Sequence, residues 1–85
     1  MLRITTDNSG PTRLLHVEGR LKRNNIAELE RACAAEANPC SLDLSNLIHA
    51  DEQGIRHLIA LRSEGNELLN ASPFIRMLLE QHRES

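Results

Sequence analysis

The spacing of hydrophobic and polar positions at the start of the chain predicts two strands. Leu2 and Ile4 alternate with polar neighbours, which is the period-two pattern of a half-buried strand. Residues 7–11 then form a cluster of turn formers. A second strand follows over residues 14–18, and we expect Gly19 to end it. The short separation predicts that the two strands pair as an antiparallel hairpin.

The period changes to that of a helix in the next part of the chain. Apolar side chains recur at helical spacing over residues 25–37, with charged side chains on the remaining faces. Asn25 and Glu28 have the spacing of a capping box, which predicts the start of this helix. Asn38 and Pro39 predict its end.

The middle of the chain predicts a buried strand followed by a second helix. Residues 40–44 form a short strand after a helix and before a polar turn, so we place it in the middle of the sheet. Residues 47–50 are predicted to be a loop. Asp51 is in the position of an N-cap, and Gly65 comes where that helix should end.

The last part of the chain predicts one more strand and one more helix. The strand covers residues 67–70, and Ser72 with Pro73 then has the pattern of an N-cap followed by a first-turn proline. Phe74 or Met77 should lie at the edge of this helix. Its inward face is expected to contain Ile75, Leu78 and Leu79.

These elements predict a single α/β domain over residues 1–85, with the order ββαβαβα. The last three strands are joined by helical crossovers and must therefore run parallel, whereas the first strand is antiparallel. Right-handed crossovers place the helices mainly on one face of a four-stranded, mostly parallel sheet.

Composition narrows the classes of function. The chain has one aromatic residue, Phe74, and a net charge of −2, so neither base stacking nor a basic stripe is available for binding nucleic acid. Cys33 and Cys40 are not at metal-ligand spacing and are expected to be buried or half-buried apolar side chains. No apolar run approaches a membrane span and no signal peptide is evident, so we expect a protein of the reducing cytoplasm without direct membrane insertion.

Four short segments together give the sequence a resemblance to the STAS domain family, over essentially the full chain. They are residues 17–21, residues 42–45, the run Asp51-Glu52-Gln53-Gly54-Ile55, and residues 70–79. The resemblance implies an anti-sigma factor antagonist that docks an ATP-binding anti-sigma factor kinase at the third segment. In the family, the first serine after the aspartate is phosphorylated to release that partner.

The residue at the phospho-acceptor position here is Glu52, which cannot be phosphorylated. The chain between Asn46 and Arg62 contains no serine or threonine that could replace it. Glu52 has two interpretations that stay open. It can mimic phosphate, or it can serve the helix start by facing the dipole and pairing with Arg56 four residues later.

Other chemistries have weaker support in the sequence. His49, Asp51 and His57 lack the spacing of a metal site, and they are interpreted as exposed side chains. Ser45 near His49 and Asp51 is the one candidate nucleophile, but no motif supports catalysis. We therefore predict no enzyme activity, no catalytic residues, no metal and no cofactor.

The prediction for function is a partner-binding module whose contact surface runs along the loop and the helix start. Arg56 and His57 are either part of that surface or merely solvated, and we favour partner contact. The partner is expected to be an anti-sigma factor or related serine kinase-like protein. Alternatively it is the ATPase of a lipid-transporting ABC complex, which STAS-like accessory subunits contact without phosphorylation. A weak homodimer is also left open. The predicted contact residues are Ile48, His49, Asp51, Glu52, Gln53, Arg56 and His57.

Overall fold

A computed structural model of the chain describes residues 1–8, 10, 13–34 and 40–82. Its strands are β1 (Leu2–Asp7), β2 (Leu14–Leu21), β3 (Ser41–Asp43), β4 (Leu47–Ala50) and β5 (Glu67–Leu69). Its α-helices are α1 (Ile26–Ala34), α2 (Glu52–Ser63) and α3 (Pro73–Gln81), and a 3₁₀ turn at Arg23–Asn25 precedes α1. Part of the predicted turn at residues 7–11 lies outside the described residues, as does the predicted helix end at Asn38 and Pro39.

The sheet has the predicted mixed topology, with one strand more than expected. The strand order is β1-β2-β3-β5, β1 is antiparallel to β2, and the other pairings are parallel. The segment predicted to be a loop is strand β4, which pairs in parallel with the second half of β2. These four residues show no clear alternation of apolar and polar side chains. They form a strand because they pair with β2, which is distant in the sequence.

Gly19 does not end β2 as predicted but lets the strand continue through an irregularity. Its φ of +95° is a conformation that glycine adopts readily and other residues rarely adopt. A Cβ atom at this position would also collide with the carbonyl oxygen of Met1. The backbone N–H of Arg20 donates to that same oxygen at 2.9 Å. The register shifts between Gly19 and Arg20, and β2 then continues alongside β4.

One face of the sheet is covered by the helices and the other is not. Along β2, Leu15 and Val17 are fully buried, whereas His16 and Glu18 between them are only partly covered. This alternation confirms the prediction that the helices pack mainly on one face. The core is almost entirely aliphatic and consists of Leu2, Leu15, Val17, Leu21, Leu29, Cys40, Leu42, Leu44, Leu47, Ala50, Ile55, Leu58, Leu61, Ile75 and Leu79.

The start of α1 differs from the predicted capping box. The Asn25 side chain does not act with Glu28. Instead its Oδ1 accepts from the backbone N–H of Lys22 at 2.7 Å, and its Nδ2 donates to the Arg20 carbonyl at 3.0 Å. These two bonds satisfy backbone groups of Lys22 and Arg20, which precede Asn25 in the chain. They therefore stabilise the 3₁₀ turn before the helix begins.

The boundaries of α2 and α3 follow the predicted signals. Asp51 caps α2, Gly65 with φ of +104° follows its end, and Ser72 Oγ accepts from the backbone N–H of Ile75 at 3.2 Å. Asn70 has φ of +59° and therefore lies just beyond β5 instead of inside it. None of the described helices is long and apolar enough to cross a membrane.

The two cysteines are free thiols that are buried or half-buried, as predicted. Cys40 is buried and Cys33 is half-buried. Burial and the neighbouring Cys40 thiol raise the pKa of Cys33 to about 12. Cys33 is therefore a neutral thiol at physiological pH, which is the unreactive form.

Candidate functional site

The carboxylate of Asp51 joins the start of α2 to the segment that follows β2. Its Oδ1 accepts from the backbone N–H of Gly54 at 2.8 Å, which caps the helix. Its Oδ2 accepts from the backbone N–H of Arg23 at 2.9 Å. Both oxygens are therefore committed to the protein's own backbone, and Asp51 holds the site in place more than it offers a free acceptor.

Gly54 brings the first turn of α2 against the end of β2. A Cβ atom at this position would lie 2.6 Å from the carbonyl oxygen of Leu21. That same oxygen accepts from the backbone N–H of Asp51 at 3.0 Å. Because the obstacle is backbone, glycine is the residue that this close approach requires.

Two backbone donors keep Asp51 ionised. Partial desolvation acts to raise the pKa of this carboxyl, but the N–H groups of Arg23 and Gly54 outweigh it and hold the pKa below its usual value. His49 and Lys22 add smaller electrostatic contributions in the same direction. The start of α2 thus carries a fixed negative charge at neutral pH.

Glu52 and Arg56 form the ion pair that their spacing predicted. Arg56 Nη2 lies 2.8 Å from Glu52 Oε2, and the two side chains are 62% and 58% exposed. The charge of Glu52 is therefore shared with a neighbouring guanidinium at the protein surface. This arrangement agrees with the helix-start interpretation of Glu52 and leaves its phosphate-mimic interpretation untested.

Three large apolar side chains of β4 and α3 are exposed. Ile48 is 67% exposed, Phe74 is 44% exposed and Met77 is 47% exposed. The rings of His49 and Phe74 stack with their centroids 6.0 Å apart and an interplanar angle of 22°. We call Ile48, Phe74 and Met77 the apolar patch.

An open groove adjoins the apolar patch at Ile48. Its volume is about 590 Å³, and Ile48 and Ser72 contribute to its wall together with the exposed Met1. The groove runs from Ser72, the N-cap of α3, past Ile48 to Met1 and Arg3 at the start of β1. The surface here is therefore concave as well as apolar, which is the shape that a protruding partner side chain fills.

Phe74 is the site residue that sequence reasoning did not include. It was expected at the edge of α3, and the structure confirms that position, but its proximity to His49 depends on how α3 packs beside β4. The available signal was that the chain's one aromatic residue falls in the first turn of a helix on its exposed side.

The seven predicted contact residues do not all face solvent. Ile48, Glu52, Gln53 and Arg56 are exposed, whereas His49, Asp51 and His57 are partly covered. The Nε2 atom of His57 is enclosed and has no hydrogen-bond partner among the described residues. His57 thus lies at the boundary between the surface and the interior of the domain.

Asp43 organises the loop after β3. Its Oδ1 accepts from the backbone N–H of Ser45 at 2.9 Å, and its Oδ2 lies 3.3 Å from His16 Nδ1. The Ser45 backbone N–H holds the pKa of Asp43 below its usual value, although desolvation opposes it. Asn70 Nδ2 also donates to Oδ1, at 3.5 Å.

The residues considered for catalysis or metal binding have other contacts. Asp51 bonds to backbone groups and His49 stacks on Phe74, so neither is hydrogen-bonded to Ser45. Within the described ranges, no group of three or more His, Cys, Asp or Glu side chains is placed to hold a metal ion.

Comparison with known proteins gives similarity in fold. No protein-family model matches the chain, and no curated protein matches it. One solved structure, described as "Crystal Structure Analysis of Mglu", is 17% identical with a TM-score of 0.61, over 75% of this chain and 18% of that one. Another is an uncharacterized DUF3478-family protein with a SpoIIAA-like fold from Shewanella loihica PV-4. It is 18% identical with a TM-score of 0.46, over 79% of this chain and 61% of that one.

The chain thus spans less than two thirds of either of these proteins, and at such identities the similarity concerns architecture alone. The element order, the antiparallel first strand and the parallel remainder of the sheet are those that the sequence predicted for a single α/β domain, with strand β4 in addition. The predicted fold class is therefore confirmed.

Proposed function

We propose that this chain is a non-enzymatic regulatory module that binds a partner protein at the start of α2. The partner is an anti-sigma factor or a related kinase-fold protein. The contact surface combines the predicted residues Ile48, Glu52 and Arg56 with the apolar side chains of α3, chiefly Phe74. The observation that carries this proposal is the apolar patch, from which the ring of Phe74 stacks on His49, two residues before the N-cap of α2.

An exposed apolar patch bordered by charges is typical of a protein contact site. Burial of the ring of Phe74 and the side chain of Ile48 would supply binding free energy at the centre of the contact. The Glu52–Arg56 pair lies at its border, where charges favour specificity and association rate over affinity.

The site is also held rigidly, which favours recognition. Asp51 bonds to two backbone N–H groups and Gly54 packs against Leu21, so the first turn of α2 has little freedom to shift. A surface that is already ordered loses less conformational entropy when a partner binds.

A second candidate partner is the ATPase of a lipid-transporting ABC complex. The observation that favours it is the Glu52–Arg56 ion pair, which occupies the acceptor position with a permanent, partly neutralised charge. A contact that is never released by phosphorylation needs no acceptor. The two candidates share one surface and differ in the protein that binds it.

Affinity capture from native lysate with identification by mass spectrometry tests the proposal. We expect the wild type to capture an anti-sigma kinase, or in the second case an ABC ATPase. Ile48→Asp should lose that protein, because it places an unpaired charge in the apolar patch. Thr5→Asp introduces the same charge at an exposed position of β1 and should retain it. Equal capture by all three proteins, or capture of neither class, would overturn the proposal.

A catalytic role would give a different result. Substrate turnover by the purified chain that disappears in Ser45→Ala would assign Ser45 as a nucleophile. Turnover unaffected by that substitution would not involve this serine. We expect no turnover in either protein.

A further inference from the structure

A second groove lies between α2 and α3, away from the start of α2. Its volume is about 260 Å³, and two arginines contribute to its wall, Arg62 from α2 and Arg76 from α3. Asn70 and Ala71, which follow β5, form another part of the wall. The apolar part of the lining comes from Leu68, Ala71 and Leu79.

The positive charges of this groove are not neutralised by the described part of the chain. Neither Arg62 nor Arg76 has a side-chain hydrogen bond or ion pair there, in contrast to Arg56, which is paired with Glu52. Glu80 follows Arg76 by one turn of α3 but forms no ion pair with it among the described residues, and the carboxylate of Asp43 is linked to the groove only through Asn70. Two guanidinium groups are thus available to one ligand.

The position of Arg76 does not serve the stability of its own helix. It is the fourth residue of α3, where the helix dipole disfavours a cation, and the first turn has no acidic residue to offset it. Arg62 is in the last turn of α2, where a cation is favourable. The helix dipole and the first turn of α3 therefore do not account for the charge of Arg76.

We propose that this groove binds a small molecule that carries a doubly charged oxyanion, either a phosphoryl group or a pair of carboxylates, on an apolar body. Guanidinium groups present paired N–H donors that match the oxygens of such anions. The apolar lining would cover the remainder of the ligand, and a volume of about 260 Å³ limits that ligand to a small metabolite. This site is separate from the proposed partner surface.

Nuclear magnetic resonance titration of the whole chain tests the proposal. Inorganic phosphate and succinate serve as probes, each added at constant ionic strength against sodium chloride. We expect saturable shifts of the backbone amides of Asn70 and Ala71 and of the Nε–H signals of Arg62 and Arg76. Tighter binding of phosphate would assign a phosphoryl ligand, and tighter binding of succinate a dicarboxylate.

Arginine variants separate a specific site from general charge attraction. Arg62→Gln and Arg76→Gln should each weaken binding about tenfold or more, since each removes hydrogen bonds to a charged group. Arg31→Gln, at an exposed position of α1, removes the same charge elsewhere and should bind as the wild type does. Absence of saturation with both probes, or equal weakening in all three variants, would overturn the proposal.

Discussion

Four consecutive residues at the start of α2 divide into two regions with opposite environments. Asp51 and Gly54 face the protein, where they contact the backbone of Arg23 and Leu21. Glu52 and Gln53 between them face solvent. Contacts within the domain hold Asp51 and Gly54 in place. Of the two outward residues, Glu52 has one side-chain contact, the exposed ion pair with Arg56.

The difference explains how the match at Asp51 and Gly54 can persist while the residue between them varies. Asp51 and Gly54 close α2 against β2, so this local geometry favours an N-cap residue at the first position and glycine at the second. The residue between them has no such constraint and can be serine or glutamate at little cost to folding. Asp51 and Gly54 therefore report on the local fold, whereas Glu52 and Gln53 are free to differ between chains that share it.

Introducing a charge at adjacent inward and outward positions should give the largest contrast. Ile55 is 1% exposed and Arg56 is largely exposed. Ile55→Asp buries an unpaired carboxylate at a cost of several kcal/mol, against a total stability of about 5–15 kcal/mol, so we expect it to unfold the domain. Arg56→Glu should remain folded and bind its partner more weakly. Circular dichroism melts measure the stability of both variants. Similar losses of stability in the two would contradict the outward position of Arg56.

A methyl group at Gly54 should give the next largest effect. Gly54→Ala places Cβ 2.6 Å from the Leu21 carbonyl oxygen, and moving the helix away would weaken the bond from Asp51 to that oxygen. Overpacking of about 1–3 kcal/mol exceeds the gain of about 1 kcal/mol in helix propensity, so we expect a net loss in urea unfolding. Gly10→Ala is the matched control, because nothing lies within 4 Å of its added atom. Equal stability of the two variants would contradict the close approach.

Removing the cap should have a smaller, pH-dependent effect. Asp51→Ala should cost about 0.5–2 kcal/mol, and Asp51→Asn less, because asparagine still caps the helix. The folded-state pKa of Asp51 lies below the unfolded value of about 3.9. The stability that its charge contributes is therefore present above about pH 4 and is lost as the pH falls through the lower folded value.

Urea unfolding of the wild type and Asp51→Asn across this range measures that contribution. The free energy of unfolding should be larger for the wild type than for Asp51→Asn at neutral pH. The difference between the two proteins should decrease as the pH falls. A constant gap at all pH values would mean that the hydrogen bonds act without the charge.

Most of the fold could be predicted from the sequence because its signals are local. Caps such as Asp51 and Ser72 and the helical period of α2 and α3 depend on neighbours within a few residues. Strand β4 and the continuation of β2 past Gly19 depend on pairing between distant segments, and no local pattern reports that pairing. The missed strand and the misplaced strand end are therefore one error with one cause.

The candidate site was predictable as a segment but not as a surface. Ile48 and Glu52 are close in the sequence, so they were predicted to lie in one segment. The spacing of four residues from Glu52 to Arg56 predicted the ion pair between those two side chains. The contact of Phe74 with His49 joins residues 25 positions apart and needed the packing of α3. Likewise, the grouping of Arg62 and Arg76 in one groove came only from the fold.

The outward region can be tested alone with Glu52→Ser, which should change stability least. An exposed i,i+4 pair contributes about 0.3–0.5 kcal/mol, so the melting temperature should barely move. If Glu52 mimics phosphate on a docking surface, removing its charge should tighten binding to the anti-sigma partner. Addition of ATP and magnesium should then reverse the gain, because the partner kinase can phosphorylate the new serine in the Asp51-to-Gly54 frame.

Calorimetry of the wild type and Glu52→Ser, each with and without ATP and magnesium, distinguishes the two interpretations of Glu52. Tighter binding that ATP reverses would assign the phosphate-mimic role. Glu52→Gln is the matched control, since it also removes the charge but offers no acceptor, and its affinity should rise without any dependence on ATP. Identical affinities under all conditions would make Glu52 a helix-start residue paired with Arg56. Since the partner surface would then have no phosphorylation switch, that result would favour constitutive binding of the kind expected for an ABC accessory subunit.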